Sequence, residues 1–182
     1  SVLTDIANGQ NHFWMFQDWM DMEIRHEVRS AFYFSGRKGS LLKYLTGVPD
    51  PFYDVCSKEF KNIISQLKKN GFEVGLHASY NAYKSLTAFL KEKKNVEDSL
   101  AEKLLGNRHH YWRINPDDPV ETSFLHEKAG LLYDSSICYE QRAGFRFGIG
   151  TPYRLFHKRK NKTSKCLQLS TTFMDTHVFT HS

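Results

Sequence analysis

The 182-residue chain has no apolar run near the ~20 residues needed to cross a bilayer, so no membrane span is expected. It opens SVLTDIANGQ, with Asp5 and no basic segment leading into an apolar one, so no secretory leader is read there. Cysteine is scarce. Cys56, Cys138 and Cys166 are far apart and form no C-x-x-C pair, which argues against a disulfide framework. Reduced thiols and a cytoplasmic location are the plain expectation. No apparent strand runs into a glycine-rich nucleotide turn, and repeats and low-complexity stretches are absent. What the chain does have is 40% hydrophobic and 25% charged residues, which excludes disorder for its bulk. Its length suits one domain spanning 1–182. Aromatics at 14% serve a core or a cleft for ring-shaped ligands equally well.

The net charge of +5 comes from one segment. Arg154, Lys158, Arg159, Lys160, Lys162 and Lys165 fall together without an acid between them, and the rest of the chain is near neutral. A single basic loop reads as a solvated turn, not as a nucleic-acid surface with aromatic platforms, so no nucleic-acid partner is expected.

Apolar spacing alternates between helical and strand periods. Phe16, Trp19, Met20 and Ile24 share a helical face, and residues 30–34 read as a strand. Ser57 caps a helix carrying Phe60, Ile63, Ile64 and Leu67 and stopped at Gly71. Further strands are expected at 72–76, 108–114, 131–134 and 167–172. A long helix is expected over 83–105, and Asp118, Pro119 and Glu121 open another, closed at Gly130. This order argues for an α/β fold of parallel strands with crossover helices, with a (β/α) barrel or part of one favoured over an open sheet.

In such folds the chemistry gathers where strands end. His77 is either a metal ligand, with Asn81 four residues on, or a hydrogen-bonded histidine beside a turn. Arg108-His109-His110-Tyr111-Trp112-Arg113 is expensive to bury without partners and is read as a functional strand, with Arg108, His110 and Trp112 on one side. Asp134 orients a cationic group or caps a turn. Arg146, set between Phe145 and Phe147, clamps an anionic or sugar group or simply packs. His177 and His181 have metal-compatible spacing at the chain's extreme end, where ligands are uncommon.

Residues 72–80 (FEVGLHASY) resemble the second motif of the polysaccharide deacetylase (NodB-homology) superfamily, and Arg108-His109-His110-Tyr111 resembles its third. Stretches at 13–34, 125–136, 144–148, 152–153 and 173–175 are similar to a bacterial deacetylase-like branch, so the resemblance covers nearly the whole chain. It implies a distorted (β/α) barrel of about seven strands. It further implies metal-assisted removal of an N-acetyl or related acyl group from a sugar of a surface polysaccharide or its precursor. A divalent metal, usually zinc, would hold water and polarise the carbonyl. An aspartate would act as base and a histidine would assist the leaving amine. Carried over, His77 is a metal ligand with Asn81 and His110, while Arg108 supports the catalytic aspartate and Tyr111 lies near the oxyanion. His177 stands in for the leaving-group histidine, and Tyr80, Asp134 and Arg146 contact the sugar.

The chain departs from the family pattern. Asn81 replaces the second histidine and His110 replaces a proline. The first, aspartate-bearing strand is expected upstream of residue 1 and the last motif beyond Ser182, which implies an incomplete barrel and weak zinc binding. A carbohydrate substrate is expected, with the oligomeric state left open. A non-catalytic sugar-binding domain and an amidohydrolase on a non-sugar C–N bond are the competing readings.

Overall fold

The computed structural model describes residues 14–139 and 142–174. Asp5, Asp175, His177 and His181 lie outside the described residues. Helix α1 (Phe16–Arg25) leads to β1 (Ala31–Phe34), then α2 (Leu41–Leu45), α3 (Lys58–Lys69) and β2 (Glu73–Leu76). A 3-10 turn at Ala82–Lys84 precedes α4 (Leu86–Leu100) and β3 (Gly106–Asn107). A second 3-10 turn at His110–Trp112 precedes α5 (Pro119–Lys128), β4 (Tyr133–Asp134), β5 (Tyr153–His157) and β6 (Lys162–Gln168). The strands form one sheet in the order β1-β2-β3-β4-β6-β5. Neighbours are parallel except β5, which pairs antiparallel with β6. The fold is therefore α/β with a mainly parallel sheet. Among the described residues the sheet has six strands and is open, with β1 and β5 at its edges, where a barrel of about seven was expected.

Local signals explain most of the elements. The Ser57 hydroxyl accepts from Phe60 N at the start of α3, which buries Phe60, Ile63, Ile64 and Leu67, and Gly71 leaves the helix with φ +78°. The Asp118 carboxylate accepts from Val120 N, with Pro119 in the first turn of α5. Glu121 does not close the capping box; its carboxylate binds His157 and Lys160 instead. Helix α4 is shorter than expected. Ser85 caps it by accepting from Ala88 N, and it ends at left-handed Ala101, while the Glu97 carboxylate takes the N–H of Leu104. The basic run is a β-hairpin. Asn161 turns it at φ 44°, and Lys160 and Lys162 pair with Glu121 and Glu127 of α5.

The two sheet faces differ. Phe32 and Phe34 point to the helix side, where Phe16, Phe60 and Phe72 meet them ring to ring. Phe34, Ile64, Leu67, Leu76 and Phe89 are buried there, each stabilising by roughly 2 kcal/mol. Tyr33 points the other way. Its hydroxyl meets that of Tyr133 at 3.0 Å, and Tyr133 donates to Glu73 at 2.6 Å. Gly75 and Gly106 make room for these rings. A Cβ on Gly75 would lie 2.6 Å from the Tyr33 ring, and one on Gly106 would lie 2.0 Å from Tyr133 Cζ.

Candidate functional site

Backbone hydrogen bonds carry the sheet past the strand ends and set two loops side by side. His77 N donates to Phe34 O, Arg108 N to Leu76 O, and His110 N to Ala78 O. The rings of His77 and His110 thereby come within 5.0 Å, centroid to centroid, edge to face. His77 Nδ1 lies 2.8 Å from the carbonyl oxygen of Arg108. A carbonyl only accepts, so Nδ1 carries the proton and Nε2 keeps its lone pair. Burial and the neighbouring His110 pull the His77 imidazole down to about 4, against the opposing hydrogen bond to Arg108 O, so it is neutral at neutral pH.

The third member is Asp50, which comes from the β1–α3 connection. It is 1% exposed. Its Oδ1 accepts from Tyr80 N at 2.8 Å and lies 3.6 Å from His110 Nδ1, and Arg37 Nε is 3.9 Å from Oδ2. Burial raises the Asp50 carboxyl. His110, the Tyr80 N–H and the Arg37 charge together outweigh this and hold it below the usual carboxylate range. Asp50 Oδ2 and His110 Nδ1 are both buried without a hydrogen-bond partner. The loop is held down from both sides: Gly39 N donates to Pro51 O, and a Cβ on Gly39 would lie 2.1 Å from Asp50 O.

Two imidazoles and a carboxylate are a donor set for zinc or a similar divalent ion. Two ligand atoms about 2.1 Å from one tetrahedral ion sit about 3.4 Å apart, close to the His110–Asp50 spacing. His77 stands further off. The described residues contain one trio of acid, histidine or cysteine side chains with donor atoms all within 4.8 Å, and it is Asp118, Glu121 and His157. In that trio, which could also hold an ion, His157 Nε2 meets Glu121 at 2.9 Å, and Lys160 reaches the same carboxylate at 2.5 Å.

The segment 108–114 is not a strand, as its composition suggested. Pairing stops at Asn107, and the chain turns out through Tyr111 and Trp112 at φ 54° and 53°. Consecutive left-handed residues with rings are strained and persist only where surroundings impose them. The turn replaces strand alternation with display. Tyr111 is 58% exposed beside His110, and Arg108 lies between the rings of Tyr33 and Trp112 at 4.7 and 5.2 Å, with Nε donating to Ser135 Oγ. Arg113 stacks on Tyr80 at 4.0 Å and donates to the hydroxyls of Tyr80 and Tyr83.

The remaining candidates divide. Tyr80 joins the cluster through its N–H to Asp50 and its ring under Arg113. Asn81 precedes the Ala82–Lys84 turn without a side-chain capping bond, and no hydrogen bond links its amide to either histidine. Arg146 donates to Cys138 O and lines a cavity with Tyr111 and Trp112. Asp134 sits elsewhere. Strand alternation puts Tyr133 on the tyrosine face and Asp134 on the helix face, 1% exposed, accepting from Asn107 Nδ2 and from Ser136 Oγ and N. Its carboxylate does not reach the cavity. It is 3.8 Å from His126 Nδ1, and Ser136 Oγ in turn holds the N–H of His109. His177 lies outside the described residues.

Sequence reasoning passed over Asp50 and Glu92. Asp50 stands between two prolines, a sign of a fixed loop but not of its distance to His110. Glu92 faces inward from α4 and accepts from both Ser79 N and Ser79 Oγ, pinning the His77 loop. Burial raises its carboxyl, against the two Ser79 hydrogen bonds.

No protein-family model and no curated protein matches the sequence. The fold is shared with a crystal structure described as a "putative polysaccharide deacetylase" from Mycobacterium smegmatis. The likeness has a TM-score of 0.56 at 14% identity and covers 87% of this chain. The chain spans 46% of the length of that structure. At this identity the likeness establishes the fold.

Proposed function

We propose that the chain is a deacetylase-like hydrolase domain that removes an N-acyl group from a sugar with the help of a divalent cation, zinc in the first instance. The observation that carries this reading is the pair of buried atoms without a hydrogen bond, Asp50 Oδ2 and His110 Nδ1, beside His77, whose Nδ1 is held by Arg108 O so that Nε2 keeps its lone pair. Unpaired buried polar atoms are costly, and a cation would satisfy both. The resemblance of residues 72–80 and 108–111 to deacetylase motifs and the shared fold support the reaction class. In this reading Asp50 joins His77 and His110 as a ligand, and Asn81 is not required.

When bound, the cation supplies a Lewis acid for the amide carbonyl and an acidified water. The chain's own residues do the rest. The carbonyl of Arg108 fixes the His77 tautomer and ring angle, as ligand histidines require. Tyr80 N–H and Arg37 hold the Asp50 carboxylate ionised. Arg108, between Tyr33 and Trp112, puts a fixed positive charge beside the pair, and Tyr111 offers an exposed ring and hydroxyl next to His110. The open spacing of His77 favours, as a second reading, a domain that binds sugar without turnover.

The test is zinc calorimetry with acetate release from an N-acetylated oligosaccharide. His77→Ala and Asp50→Asn should each weaken zinc by more than the ~10-fold that loss of an outer-shell partner costs, and abolish release. Unchanged zinc affinity in both variants overturns the metal site. Sugar binding with no acetate release by the zinc-loaded protein transfers the conclusion to the binding domain.

A further inference from the structure

Beside the histidine pair is a cavity of about 330 Å³ whose lining includes Tyr111, Trp112, Arg113, Cys138 and Arg146. Among the described residues no aspartate or glutamate lines it. Arg113 and Arg146 both contribute to its wall, and Arg108 stacks on Trp112, another of its lining residues. None of the three is paired with a carboxylate among the described residues: Arg108 donates to Ser135, Arg113 to two tyrosine hydroxyls, and Arg146 to the Cys138 carbonyl. Burial raises the Cys138 thiol against the charges of Arg108 and Arg146, and Arg146 donates to the Cys138 carbonyl at 3.2 Å.

Among the described residues this arrangement is uncompensated. Lys93, Lys94, Lys160 and Lys162, by contrast, each sit on an acid. Arg108 stacks on two rings and donates through Nε to Ser135, which leaves its outer N–H edge for a planar, two-pronged acceptor. Tyr111 and Trp112, held outward by their left-handed backbone, add flat faces of the kind that pack against pyranose rings.

We propose that this cavity binds a sugar bearing an anionic group, a carboxylate or a phosphate, and so makes the substrate an acidic carbohydrate. The inference rests on the deacetylase-like reading for the reaction, but its anion site is separate from the proposed metal ligands.

The test uses the chain stripped of metal, so that failure of the metal site cannot mask the result. Binding of three probes is compared by calorimetry: a hyaluronan tetrasaccharide (N-acetylated, with carboxylates), chitotetraose (N-acetylated, neutral) and UDP-N-acetylglucosamine (phosphates). The carboxylate or phosphate probe should bind at least ~10-fold more tightly than the neutral one, the equivalent of one charge-assisted contact. The preference should weaken as salt rises. Whichever anionic probe binds identifies the source of the charge. Arg146→Gln and Arg113→Gln should each erase most of the preference, whereas Lys158→Ala with Arg159→Ala, in the hairpin turn, should leave it intact. Circular dichroism checks that the variants are folded. Equal affinity for all three probes overturns the proposal, as does a preference that survives both arginine changes or vanishes with the hairpin pair.

Discussion

The Nε2 atoms of His109 and His126 meet at 2.9 Å, each ring about 1% exposed, so one ring donates to the other and both are uncharged. Burial lowers both imidazoles, and the second ring lowers His109 further. The sign follows. The unfolded histidines take up protons below about 6.5 and the folded ones do not, so stability is complete above pH 6.5 and falls as pH drops. At pH 5 the loss is roughly 2 kcal/mol per histidine that stays neutral. His77 adds a loss of the same sign down to about 4. Burial raises Asp134, which works in the opposite direction, shedding stability as pH rises through its folded value. Urea melts at pH 7 and pH 5 should show a marked fall for the native chain and a clearly smaller one for His126→Gln. Equal falls would refute this account.

Asp134 should matter for stability and not for the sugar. Truncation to Ala strands donors on Asn107 and Ser136, each costing roughly 1–3 kcal/mol when buried. We expect Asp134→Ala to lose several kcal/mol in denaturant melts, while its folded fraction binds carbohydrate as the native chain does. A stable variant that no longer binds would return Asp134 to the sugar site.

The two glycines under the tyrosine pair give a prediction with a built-in control. Gly106→Ala drives a Cβ into the Tyr133 ring, and the rigid ring can yield only by breaking its bonds to Tyr33 and Glu73. Overpacking of this kind costs about 1–3 kcal/mol. Tyr133→Ala in the same chain should remove the clash. The two changes together should then cost less than their sum, with a coupling above about 1 kcal/mol. Additive costs would mean that the clash is absorbed elsewhere.

The sequence carried more of the scaffold than of the site. Ser57, Asp118, Pro119 and the 60-63-64-67 stripe are local signals, and the structure places α3 and α5 where they point. His77 stood out at the end of an expected strand and His110 in a run of costly side chains, and the structure sets their rings 5.0 Å apart. The hairpin of β5 and β6 was not, because its strands are full of Lys and Arg whose acid partners lie on α5. Asp50 was hidden for the same reason. Its meaning is a 3.6 Å approach to a residue 60 positions later, which no local pattern encodes. The strand expected at 108–114 failed because two positive φ angles ended it, and neither Tyr nor Trp advertises that conformation.

Those angles support the last prediction. Left-handed backbone costs a residue with a Cβ roughly 1–2 kcal/mol, and glycine escapes the cost. Tyr111 is more than half exposed, so its ring contributes little packing. Tyr111→Ala keeps the strain and loses the ring, whereas Tyr111→Gly loses both. Glycine should therefore be more stable than alanine here by about 1 kcal/mol, the reverse of their order in ordinary helix. Both variants lack the ring beside His110 and the cavity, so both should lose carbohydrate affinity to a similar degree. Paired urea melts and sugar titrations of the two variants separate the contributions. If alanine proves the more stable, the turn is not strained as described. If glycine alone loses affinity, the turn's rigidity and not the Tyr111 ring is what the ligand requires.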